Sequence, residues 1–94
     1  MVEEVIWLKR ARQSFSDIIS YLKSDWSFEI AAEFHKRTTL IIDLICEFPE
    51  IGILTKQRKV LRKFLITKHN YIIYRSFKDK LIIVDIVDTW KKND

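Results

Sequence analysis

From Arg10 onward the apolar residues of this chain change their spacing once, and the change falls beside its only proline and only glycine, Pro49 and Gly52. Ahead of that point they recur every three or four positions; beyond it they alternate. A chain written this way places helices first and an antiparallel sheet after them. From Arg10, the residues Ala11, Phe15, Ile18, Ile19 and Leu22 form the stripe of an amphipathic helix. Ser24 to Ser27 interrupts it. Ser27 reads as an N-cap, with Glu29 placed to favour the helix dipole and Trp26 outside to staple the entry. The spacing then predicts a second helix from Phe28 to Phe48, with Ile30, Phe34, Ile41, Ile45 and Phe48 as its stripe and Ala31, Thr38, Ile42 and Leu44 broadening it. Pro49 cannot continue that helix. A short break between two amphipathic helices implies a helical hairpin.

Beyond Gly52 the alternation predicts strands over Lys59–Thr67, Asn70–Phe77 and Lys80–Thr89. Their turns, Lys68-His69 and Lys78-Asp79, are short enough to permit only antiparallel neighbours. Residues 2–8, VEEVIWL, read as one opening strand. The order is β-α-α-β-β-β. This is an α+β fold whose helical hairpin covers one face of a small, mainly antiparallel sheet and leaves the other face open.

Ninety-four residues support a single domain over 1–94. With 48% hydrophobic and 32% charged residues, the composition is that of a folded chain and not a disordered one. No apolar run reaches the roughly 20 residues that span a bilayer, and MVEEVIWLKR lacks the pattern of a secretory signal, so no membrane partner is expected. The lone Cys46 excludes an internal disulfide and fits a reducing cytoplasm; deep in an apolar helix, it reads as core. His35 and His69 have no acid or cysteine at metal-ligand spacing, and neither a metal nor a cofactor is expected.

Charge is divided unevenly. Residues 1–50 hold nine acids and six Lys/Arg; residues 51–94 hold four acids and eleven Lys/Arg. The stretch 56–75, KQRKVLRKFLITKHNYIIYR, has seven Lys or Arg and no acid. Such a run reads either as a surface for a polyanion or an acidic protein segment, or as a solvated edge kept basic against aggregation. The uncompensated repulsion favours a partner. Lys56, Arg58, Lys59, Arg62 and Arg75 are its candidate contacts. Arg62 and Lys63 lie on opposite faces of one strand, while Tyr71, Ile73 and Arg75 share a face. Tyr71 reads as a base-stacking ring or as sheet packing. His69 reads as a general acid–base or as polar surface. Trp90 reads as a core anchor or, beside Lys91 and Lys92, as a stacking residue.

The landmarks together resemble the RelE/ParE superfamily of bacterial toxins. These are W7-LKR-A11 leading into the first helix, Ala32 and Phe34 followed by LICEFPEIG (44–52), and the meander R62-KFLITKHN-Y71-II-Y74-R75 with DKLIIVDIVDT (79–89). The likeness is strongest to the ParE-like and plasmid-stabilisation branch. It implies a growth-inhibiting toxin of a type II toxin–antitoxin system, neutralised by a small cognate antitoxin, as a homodimer or a toxin–antitoxin heterotetramer. RelE-like members cut mRNA on the ribosome; ParE-like members act on DNA gyrase. The usual Tyr-Arg pair of the nucleases is matched here by Asn70-Tyr71, and the Arg that ends many last strands is matched by Trp90. The resemblance puts Tyr71 and Arg75 on the open face. It favours a ParE-like or otherwise non-nucleolytic toxin acting through a basic sheet face. The alternatives are an mRNA interferase, an endoribonuclease whose catalytic set would be Arg62, His69, Arg75 and Lys91, and a degenerate toxin that retains only antitoxin binding.

Overall fold

A computed structural model describes residues 2–89. Its elements are β1 (Glu4–Trp7), α1 (Lys9–Asp25), α2 (Phe28–Glu47), β2 (Ile53–Leu54), β3 (Arg62–Thr67), β4 (Asn70–Phe77) and β5 (Lys80–Asp88). One sheet runs in the order β1-β5-β4-β3-β2, with β1 parallel to β5 and every other neighbour antiparallel. This is the expected α+β architecture with one addition, the two-residue β2 at the edge.

Local chemistry explains the boundaries. Ser27 Oγ accepts the Ile30 N–H at 3.1 Å and caps α2. Leu8 gives α1 no side-chain cap, but Arg12 Nη1 donates to the Trp7 carbonyl at 3.0 Å. The first turn of α1 holds Lys9 and Arg10, cations that the helix dipole disfavours. Arg10 is drawn off by Asp85 of β5, 3.0 Å from its Nε. Asp85 also accepts Ser14 Oγ at 2.6 Å and the Ile86 N–H at 2.8 Å. It lies beside the β4–β5 register shift between Ile73 and Tyr74 and ties that irregularity to α1.

Between α1, α2 and the sheet lies the core, formed by Ala11, Phe34, Ile42, Ile45, Ile66, Ile72, Tyr74, Leu81, Ile83 and Ile86. Phe15 joins it through ring contacts with Trp7 and Phe34, at centroid distances of 5.5 and 5.8 Å. Cys46 packs against the same cluster, and its thiol is pushed up by burial first and by Asp43 second. Trp26, read as a staple, is 65% exposed. Tyr74 is fully buried beneath the exit of α2: its hydroxyl donates to the Pro49 carbonyl at 2.7 Å and accepts the Gly52 N–H at 2.9 Å. A Cβ on Gly52 would stand 2.8 Å from both the Lys63 carbonyl and the Tyr74 hydroxyl, so only glycine fits this crossing.

Candidate target and partner surfaces

Register assigns the faces. Arg62, Tyr74 and Ile83 are paired across three strands, and Tyr74 and Ile83 belong to the core, so Arg62 stands on the helix side. The opposite side carries Lys63, Leu65, Tyr71, Ile73, Arg75 and Phe77 together with Ile82 and Val87 of β5. No helix covers it.

The candidate residues divide accordingly. Lys56, Arg58 and Lys59 are exposed in the loop between β2 and β3. That loop is not loose: Thr55 Oγ1 donates to the Arg58 carbonyl at 2.7 Å and accepts its N–H at 3.2 Å. Arg62 sends Nη1 to the carbonyls of Gly52 at 2.7 Å and Glu50 at 3.3 Å, which binds β3 to the segment leaving α2. Arg75 lies on the uncovered face, its guanidinium 5.2 Å from the centre of the Phe77 ring. Tyr71 shares that face but is only 8% exposed, with Lys63 Nζ 5.3 Å from its ring centre. His69 is exposed in the β3–β4 turn, where its N–H donates to Thr67 Oγ1 at 3.0 Å and its carbonyl accepts the Thr89 N–H at 2.8 Å. Trp90, Lys91 and Lys92 lie outside the described residues.

The interferase set is therefore not gathered among the described residues. From Asn70, beside His69, to Arg75 the strand advances roughly 17 Å, and although Arg62 and Arg75 start from opposite faces, both line one groove, well away from His69. Arg75 and Tyr71 do share one surface, as the resemblance implies. Among the described residues, no three His, Cys, Asp or Glu side chains form a metal-binding group, and no helix is long and apolar enough to cross a membrane.

Two grooves lie beside the candidate residues. One, of about 590 Å³, lies where the helical hairpin overhangs the β3–β4 turn. Its walls are the apolar side chains of Ile18, Tyr21, Leu22, Trp26, Ile30 and Phe34; its polar end is Arg37, His69, Asn70 and Asp88. Arg37 holds the place by donating Nε to the Ile66 carbonyl of β3. The exposed Trp26 and Tyr21 were the available signal, since both lie outside the helix stripes, whereas Ile30, expected in the α2 stripe, is 44% exposed. The other groove, of about 900 Å³, runs between the exit of α2 and the β2–β3 loop and is lined by Phe48, Glu50, Lys59, Val60, Arg62 and Arg75, among others.

Comparison with known proteins agrees with this geometry. Residues 5–94 match the model of the ParE toxin of type II toxin–antitoxin systems, parDE. Similar solved structures include a chain of the chromosomal ParDE toxin–antitoxin system from P. aeruginosa, with a TM-score of 0.70 at 12% identity over 94% of this chain and 96% of that one. A YoeB/ParE toxin from Agrobacterium tumefaciens gives 0.68 at 14% identity over 92% and 98%. The solution structure of the conserved hypothetical protein HP0894 from Helicobacter pylori gives 0.54 at 13% identity over 94% of each chain. Among curated proteins, no sequence matches. The identities are low and the structures speak for the fold, but the family match runs almost from end to end: the chain belongs to the ParE toxin family of type II toxin–antitoxin systems.

Proposed function

We propose that this chain is a cytoplasmic toxin held inactive by a small antitoxin, and that it acts through the uncovered sheet face on gyrase engaged with DNA. The observation that carries the reading is the distribution of the cations. Arg75 is displayed on the uncovered face, whereas Arg62 is bound to backbone carbonyls and His69 sits at the far end of the ribbon. A phosphate-cleaving site needs its acid, base and charge stabilisers within reach of one atom. A binding face needs only charge and shape spread over an area, which is what this sheet offers.

The antitoxin belongs at the hairpin groove. An amphipathic helix would set apolar anchors against Ile18, Leu22 and Ile30 and an acid toward Arg37. That contact lies on the helical side, so it competes for the target only through its reach around the β3–β4 turn. Supercoiling by gyrase, run beside ribosome-dependent cleavage of a reporter mRNA, tests the reading. Inhibited supercoiling with intact mRNA supports it; cleaved mRNA with unaffected supercoiling replaces it with the interferase.

A further inference from the structure

The geometry points to the β4–β5 hairpin, residues Arg75, Phe77 and Lys78, as a contact site for single-stranded nucleic acid. Three locally unfavourable choices converge there. Phe77 ends β4 with 47% of its surface exposed. Two cations stand near its ring, Arg75 at 5.2 Å and Lys78 at 5.5 Å from the centroid, and they repel each other. Lys78 has φ 58°, the only positive φ at a non-glycine position among the described residues, where glycine would sit without steric cost.

The acids in reach do not answer this charge. Glu4 and Asp79 face Lys80, at 3.9 and 3.5 Å. Among the described residues, Arg75 and Lys78 have no carboxylate within ion-pair distance. An acidic peptide would satisfy the two cations and leave the half-exposed ring unused. A single strand uses both, because its phosphates meet the cations while an unstacked base lies on the ring. A duplex hides its base faces.

This inference rests on reading the uncovered face as the target surface. It is tested by fluorescence anisotropy of labelled single-stranded DNA and RNA oligonucleotides against salt concentration, with a duplex of the same sequence and poly-glutamate as competitors. Phe77→Leu, which keeps an apolar strand residue, should weaken binding about five- to 150-fold. Arg75→Gln and Lys78→Gln should each lower the log–log salt slope by about 0.7. Lys78→Gly should raise the thermal midpoint while binding weakens, a combination that a merely structural lysine would not give, and Lys78→Arg should keep the parent slope. The inference is overturned if the parent binds no oligonucleotide, or if Phe77→Leu binds as the parent does. It is equally overturned if duplex or poly-glutamate competes as well as the single strand. Inhibited supercoiling without oligonucleotide binding would remove this inference and leave the gyrase reading; oligonucleotide binding without effect on gyrase would do the reverse.

Discussion

Replacing Tyr74 by Phe deletes one oxygen from the centre of the fold. That oxygen donates to the Pro49 carbonyl at 2.7 Å and accepts the Gly52 N–H at 2.9 Å, while the ring is fully buried. Without it, two backbone groups lose their partner, and Gly52, itself buried, has no route to water. A net hydrogen bond contributes about 1 kcal/mol, and a buried group left unpaired costs about 1–3 kcal/mol. The sum for one orphaned N–H and one half-buried carbonyl is about 2–3 kcal/mol, which in a domain of this size lowers Tm by roughly 10–20 °C. Urea unfolding of parent and variant, followed by circular dichroism at matched m-values, reads this directly. Burial, the largest influence, raises the Tyr74 hydroxyl above its ordinary pKa, against the Gly52 hydrogen bond and Arg62, which lower it. In the unfolded chain it ionises near pH 10. The folded form therefore binds the proton more tightly, and the contribution is intact below pH 10 and lost as pH rises past it. The parent should lose stability above pH 10 by a component absent from Tyr74→Phe. A variant within 0.5 kcal/mol of the parent, with the same alkaline profile, would refute the account of this joint.

Arg62→Glu should cost about 1.5–3 kcal/mol, because a charged donor to two carbonyls is exchanged for an acid that repels them, whereas Arg75→Glu should stay within about 0.5 kcal/mol; paired denaturation curves distinguish them. Asp85→Ala should destabilise by about 2 kcal/mol, since Ser14, Arg10 and the Ile86 N–H lose their common acceptor, and the loss should shrink in an Arg10→Ala background. Ile30→Glu in the hairpin groove should weaken antitoxin binding at least tenfold by calorimetry while leaving Tm near the parent value, because Ile30 is exposed. Cys46 should react slowly with thiol reagents at neutral pH, its thiol being held up by burial and then by Asp43.

Much of the fold was legible because the apolar period is strong where the packing is regular. β4 begins at Asn70 and ends at Phe77 as the alternation predicts, and α2 starts behind the Ser27 cap. The failures have local causes. Alternation from Lys59 suggests a strand, yet Thr55 ties down Arg58 and the Leu61 N–H bonds back to the Arg58 carbonyl, so pairing with β4 begins only at Arg62. β2 is two residues long, too short for any period to register. The last strand stops at Asp88, and the Thr89 N–H turns instead to His69. Alternation placed Arg62 and Lys63 on opposite faces but could not say which was which. That needed the register of Arg62 against Tyr74, whose burial depends on Pro49 and Gly52 more than ten positions away. The composition of the hairpin groove was hidden for a related reason: Ile18, Leu22, Ile30 and Phe34 belong to the helix stripes, and only tertiary packing brings them beside His69 and Asp88.

The most direct test is the amount of purified protein needed to halve DNA supercoiling by gyrase, measured for the parent and for Arg75→Glu. The uncovered face predicts inhibition by the parent and an at least tenfold higher dose for the variant at unchanged Tm, about 1.4 kcal/mol of lost interaction. Equal doses for the two proteins, or a parent that leaves supercoiling untouched, would contradict it.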